Sequence, residues 1–313
     1  MQDLWFSAQT IFPLMVMMAV GFFAKTRGWI TPTGIRQMNS CVFHVFLPIL
    51  LCMNMMDMDV RAAVDGKTLL YAFVGSIVGF LLMFLLVPRF CKQRNACGVL
   101  IQVICRSNYA VFGIPLVMMM YPDRDTSVAS MMVAVVVPVF NVMSTIALMI
   151  YGDHESDWKQ VVKGVIFNPL ILGTFAGLFL WLGKVHFPPV LESPLRSLGN
   201  VATPVALFML GAAADASKVQ TNTRLLVIGV LGRLVFIPLL FLPLGIALGI
   251  RDVSLITLVA AFASPVSVSS YPMAQQMGGD EDLAGAYVVV TTPVSVVTVF
   301  LWVFVLKSMG FLG

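Results

Sequence analysis

Charge is what this sequence has least of. Asp, Glu, Lys and Arg make up 11% of its 313 residues and hydrophobic residues 59%. Soluble domains carry about 25% charged residues, so a soluble fold is excluded and an all-α polytopic membrane protein is expected. The net charge of +4 is too small and scattered for a nucleic-acid surface. There are five cysteines, Cys41, Cys52, Cys91, Cys97 and Cys105, and no pair has metal-ligand spacing. They read as small buried hydrophobes, and neither a metal nor a cofactor is expected. No His-Glu-x-x-His, Gly-x-Ser-Gly or Gly-x-Gly-Asp run occurs, which argues against an intramembrane protease, and the lack of a P-loop argues against direct drive by ATP. No catalytic residue is assigned. The start, Met1-Gln2-Asp3, lacks a basic n-region and a cleavage site, so the first apolar span is expected to be retained.

What is present is a succession of apolar runs. A hydrocarbon core of about 30 Å needs about 20 such residues per helix. On that length the sequence predicts ten spans, near 6–25, 37–56, 68–88, 96–121, 127–150, 160–183, 194–214, 224–249, 253–276 and 283–306. Lys25, Arg27, Arg36, Arg89, Lys92 and Arg94 cluster in the first two connections on one side, which the positive-inside rule makes cytoplasmic. Both termini are then expected outside the cytoplasm.

Unusual residues recur at a fixed offset. Pro13 and Pro169, Gly21 and Gly177, and Pro48 and Pro204 lie 156 apart; Pro88 and Pro243, Asp125 and Asp280, and Pro138 and Pro293 lie 155 apart. The chain therefore reads as two copies, 1–151 and 152–313. Five spans per copy is an odd number, so the second copy must insert upside down. That is the inverted repeat of secondary transporters, in which the substrate sits near the midplane between discontinuous helices. The fourth and ninth spans are expected to be the broken ones. One contains Arg106-Ser107-Asn108-Tyr109 and Gly113-Ile114-Pro115; the other contains Ser264-Pro265-Val266-Ser267-Val268-Ser269-Ser270-Tyr271-Pro272. A pair of ordinary proline kinks is the plainer reading, but both breaks fall at matching positions and both bring polar groups.

An arginine at mid-membrane costs on the order of 3 kcal/mol on insertion scales. It is retained where it is buried in protein or lines a cavity. Arg106 offers a planar fork suited to a carboxylate, and Asn108 an amide beside it. No Asp or Glu lies near a span centre, which favours an anionic over a cationic substrate. The candidate substrate-binding set is Arg106, Asn108, Tyr109, Gly113, Pro115, Ser264, Pro265 and Ser267. Three residues carry open alternatives. Arg233 is either a second anion contact or a structural arginine on backbone carbonyls. His44 is either a proton-coupling group or a packed neutral imidazole. Asn141 is either a ligand or a bridge between helices. Arg106 itself could instead snorkel to the interface.

Asn108-x4-Gly113-Ile114-Pro115-Leu116, followed by Met120-Tyr121, resembles the crossover motif of the auxin efflux carrier family. That family includes the plant PIN-formed carriers and bacterial permeases commonly assigned to malate or malonate. The resemblance extends over essentially the whole chain. It implies a scaffold of spans 1, 2, 6 and 7, which also forms a homodimer surface, and a moving unit of spans 3–5 and 8–10. It implies contact between Asn108 and a substrate carboxylate, and location in the bacterial cytoplasmic (inner) membrane. The chain departs from the pattern twice. Plant members have Leu-Pro where this chain has Arg106-Ser107, so a more anionic substrate than auxin is expected, a small dicarboxylate such as malonate or malate. In the second crossover Pro265 is followed by Val266 rather than a polar residue, leaving Ser264 and Ser267 as the nearest polar groups. The coupling ion stays open between proton and sodium, as does uniport. The rival function is a cation/proton antiporter of related architecture, which normally needs buried carboxylates at the crossover.

Overall fold

A computed structural model describes residues 2–57, 65–122, 126–152, 157–213 and 223–312, with backbone alone for 2–11. Asp125, one partner in the repeat, lies outside these residues. The described chain is helical, and its one strand-like feature is an isolated antiparallel bridge between Ser107 and Val266. In chain order the helices are α1 (Gln2–Thr26), α2 (Pro32–Met56), α3 (Gly66–Phe90), α4 (Arg94–Cys105), α5 (Tyr109–Met120), α6 (Ser127–Tyr151) and α7 (Trp158–Ile166). They continue with α8 (Pro169–Leu182), α9 (Pro189–Ala213), α10 (Thr223–Ala247), α11 (Asp252–Ala263), α12 (Ser270–Gln276) and α13 (Glu281–Ser308). Six of them, α2, α3, α6, α9, α10 and α13, are each long and apolar enough to cross a membrane, and α7 with α8 makes a seventh if the pair is one span.

Local chemistry sets the ends. Thr31 caps α2 by accepting the Gly34 N–H at 3.1 Å, with Pro32 in the first turn, where a missing N–H costs nothing. Asp280 caps α13 by accepting the Leu283 N–H at 2.9 Å. The sixth predicted span is not straight: α7 and α8 meet at 47°. Asn168 stands at the bend, its side chain accepting the Leu170 N–H at 2.9 Å, and Pro169 starts the new helix. Two long helices carry a π-helical turn, Val42–Phe46 in α2 and Gly232–Phe236 in α10, each followed within two residues by a proline, Pro48 and Pro238.

Packing falls into two groups. In the first, α1 lies along α9, and α2 lies against α8 and α9. These approaches are close because glycine stands at them: a Cβ on Gly21 of α1 would overlap the Phe208 carbonyl of α9, and one on Gly177 of α8 would overlap the Cys52 carbonyl of α2. In the second group α4 packs on α3 and α6, α11 on α10, and α12 on α13. Contacts between the groups run through α1 with α13, α6 with α8, and α2 with α12.

Candidate functional site

Two interrupted helices meet in the second group. The first break is at Arg106-Ser107-Asn108, where α4 ends with Arg106 extended at φ −85°, ψ 112°. It thus precedes the Gly113-x-Pro115 sequence. That sequence lies where the π-helical turn Tyr109–Gly113 gives way to regular helix, and Pro115, in the first turn after it, has no N–H to waste. The second break runs from Ser264 to Ser269, between α11 and α12.

Unpaired backbone inside hydrocarbon costs several kcal/mol per group, and the two breaks supply one another. The Asn108 N–H donates to the Pro265 carbonyl at 2.9 Å. Val266 N–H donates to Thr291 Oγ1 of α13 at 3.2 Å. Arg233, fully buried, answers the carbonyls at both first-half ends. Its Nε donates to the Ser264 oxygen at 2.8 Å, Nη2 to Ala261 at 3.1 Å, and Nη1 to Cys105 at 3.2 Å and Ile104 at 3.3 Å. A cation at two helix C-termini also meets their partial negative charge. Gly113 lets the two elements close up: a Cβ there would stand 2.8 Å from the Tyr109 ring and 3.0 Å from Ala260 of α11.

A cavity of about 240 Å³ opens beside the crossing. From the breaks come Arg106, Ser107, Asn108, Tyr109, Ser267 and Ser269; α6 contributes Phe140 and Asn141; across the gap stand Leu47, Leu50, Leu51 and Asn54 of α2 and Asn200, Thr203 and Ala206 of α9. Arg106 is 4% exposed. It does not run out to an interface: Nη2 donates to Ser269 Oγ at 2.8 Å and Nη1 to Met273 Sδ at 3.2 Å, both neutral partners. Ser269 in turn shares a hydrogen bond of 2.8 Å with Ser267 Oγ. The Asn108 side-chain amide makes no hydrogen bond among the described residues, and among them Ser107 Oγ and Asn141 Oδ1 are buried without a partner. Arg106 is the one side chain charged at neutral pH among the lining residues described.

The expected residues divide accordingly. Arg106, Asn108, Tyr109, Ser267 and Asn141 line the cavity. Tyr109 is anchored by its hydroxyl, which donates to the Ala129 carbonyl at 2.9 Å; Asn141 Nδ2 donates to Thr174 Oγ1 at 3.1 Å. Gly113, Pro115, Ser264 and Pro265 shape the crossing without lining the cavity, and Arg233 sits behind it on carbonyls. His44 is elsewhere. It lies on an exposed face of α2, its Nδ1 2.9 Å from the Ser40 carbonyl and its ring edge-on to Phe43.

Residues 6–303 match the sequence profile of a family described as membrane transport protein. The chain belongs to that family. This is the auxin efflux carrier grouping to which the Asn108–Leu116 motif pointed. A curated relative from Rhizobium meliloti (strain 1021), named "Putative malonate transporter", is 26% identical over 149 residues, 47% of each chain. The match thus spans about half the length of that relative. In this membrane transport protein Asn54, Asn200, Thr203 and Ser269 are lining residues that the sequence alone did not single out. Asn54 and Asn200 sit within six residues of a predicted span end, where a polar side chain reads as interfacial. Thr203 precedes Pro204 and reads as part of a kink.

Proposed function

We propose that the protein is a secondary carrier of a small organic anion, with a dicarboxylate such as malonate or malate held at the crossing of the two breaks. The observation that carries this is Arg106: a buried guanidinium on a cavity wall, partnered among the described residues by a hydroxyl and a thioether. A charged donor on neutral acceptors is underpaired, and a carboxylate is the acceptor that fits its fork. Asn108 presents an unused amide to the same space. The malonate named for the Rhizobium relative agrees with this chemistry. A cation/proton antiporter would need an acidic group at the crossing, and among the described lining residues there is none.

The architecture proposed with it is ten crossings in two inverted repeats, 1–151 and 152–313. The contact of α1 with α9 and that of α2 with α8 exchange under such a repeat, and Gly21 and Gly177, the matched pair, sit at both. The group α1, α2, α7, α8 and α9, spans 1, 2, 6 and 7, is then the scaffold and a homodimer surface, and α3–α6 with α10–α13 move as a unit in alternating access. The proposed setting is a bacterial inner membrane with both termini outside.

The test is uptake of labelled malonate and malate by purified protein in proteoliposomes preloaded with the same unlabelled anion, which gives uptake by a uniporter and an exchanger alike. Wild type accumulates label, Arg106→Gln loses about 100-fold or more in affinity, and Asn108→Ala about tenfold, the range for charged and neutral hydrogen bonds to an anion. Wild-type uptake in both variants would overturn the assignment.

A further inference from the structure

The geometry points to obligatory exchange: the moving unit crosses the membrane only while an anion neutralises Arg106, so entry of one carboxylate requires exit of another. This rests on the carboxylate-carrier reading and adds its mode of operation.

The two buried arginines differ in what answers their charge. Arg233 spends four hydrogen bonds on the carbonyls that end α4 and α11, a permanent arrangement of negative dipole ends. Arg106 has the Ser269 hydroxyl and the Met273 sulfur. A guanidinium does not shed its proton in a protein, so the empty site stays cationic at any working pH.

A proton cycle that would discharge the site for the empty return depends on a group that changes charge. No Asp, Glu, Lys or His is among the described residues lining the cavity. His44 faces away from it. The site therefore offers a cotransported proton no carboxylate or imidazole to occupy.

The wall past which Arg106 must travel offers no opposite charge: on its scaffold side Leu47, Leu50, Leu51 and Ala206 are apolar, and Asn54, Asn200 and Thr203 are neutral. An uncompensated arginine at mid-membrane is disfavoured by roughly 100-fold on insertion scales. A bound carboxylate removes that penalty from the loaded form alone. A ligand shifts a conformational equilibrium only through such a difference, and here the difference makes the loaded carrier mobile and the empty one stationary.

Proteoliposomes preloaded with unlabelled malonate are compared with ones containing zwitterionic buffer, and initial uptake of labelled malonate is measured in both. Binding to the detergent-purified protein is measured in parallel. Exchange predicts uptake at least about tenfold faster into preloaded vesicles, and unchanged by an imposed potential, because like charges cross in both directions. Arg106→Lys keeps the cation and keeps that ratio despite weaker binding. Arg106→Gln, assayed at raised substrate concentration and checked for monodispersity, brings the ratio towards one. Malonate binding with equal uptake into both kinds of vesicle overturns exchange and leaves the carrier reading standing. Absence of malonate binding to the wild type brings down both. A ratio that persists in Arg106→Gln removes Arg106 as its cause and overturns the inference.

Discussion

Two arginines of one type, buried within one assembly of helices, have different work because their acceptors differ. Arg233 meets four backbone oxygens; Arg106 meets one hydroxyl, one sulfur and a cavity. Removing Arg233 leaves those carbonyls without their donor, and each buried unsatisfied group costs about 1–3 kcal/mol. Arg233→Met is therefore expected to lower stability by about 3 kcal/mol or more, read as a fall in the thermal midpoint in detergent that malonate only partly restores. Arg106→Gln is expected to lose little intrinsic stability and most of the stabilisation by malonate. If Arg233→Met keeps the wild-type midpoint but loses malonate affinity, then Arg233 touches the ligand and the division is wrong. The sequence left Arg233 undecided for a physical reason. Depth in a span says that a cation needs a partner, and the partner turned out to be carbonyls of residues 31 and 129 positions away.

At the scale of elements, the breaks were legible and their form was not. Polar residues in two apolar runs at matching positions announced that helices stop there, because hydrocarbon punishes unpaired backbone. Gly113 and Pro115 are helix-breaking types, but the chain resumes helix before them through a π-helical turn. No local signal in Tyr109–Gly113 specifies a π turn, since its stability comes from what it packs against. Nor could spacing tell that Pro265 contributes its carbonyl to Asn108 rather than its ring to a kink. Gly113 acts at this scale, as the point where the first crossover touches α11. Gly113→Ala puts a methyl group 2.8 Å from the Tyr109 ring and 3.0 Å from Ala260. Overpacking of that kind costs about 1–3 kcal/mol, and here the strain falls on the Asn108–Pro265 contact as well. Uptake and thermal midpoint should both drop, while Gly66→Ala, where a Cβ meets nothing within 4 Å, should leave both unchanged. Equal behaviour of the two variants would remove Gly113 from the crossover's geometry.

For the molecule as a whole, the cavity reaches towards the end of α2 and the start of α9. Asn200 is exposed there, and Arg196 clasps Asp57 through two hydrogen bonds of 2.6 and 2.7 Å. At the other end of α2 the two helix groups are joined. Asn39 Nδ2 donates to Gln275 Oε1 of α12 at 2.9 Å, Gln275 Nε2 donates to Glu281 of α13, and Arg36 pairs with Glu281 at 3.4 Å. This chain of contacts ties α2 to α12 and α13. The proposed alternating access requires that it come apart in each cycle, so its parts should be modest. The Arg36–Glu281 pair is exposed on its arginine side and worth under about 1 kcal/mol, the neutral Asn39–Gln275 amide bond contributes about 1 kcal/mol, and the Gln275 bond to the Glu281 carboxylate about 1.5–3 kcal/mol. Arg36→Ala alone is accordingly expected to change uptake little. Fixing the contact should do far more. In a background lacking the five native cysteines, Asn39→Cys with Gln275→Cys can be joined by a short thiol-reactive cross-linker that bridges α2 and α12. The joined protein should still bind malonate, because neither Asn39 nor Gln275 lines the cavity, yet uptake should stop. Each single-cysteine variant treated with the same reagent should keep transporting. Full uptake after complete cross-linking would show that α12 and α2 need not separate, and the rigid movement of one helix group against the other would have to be given up.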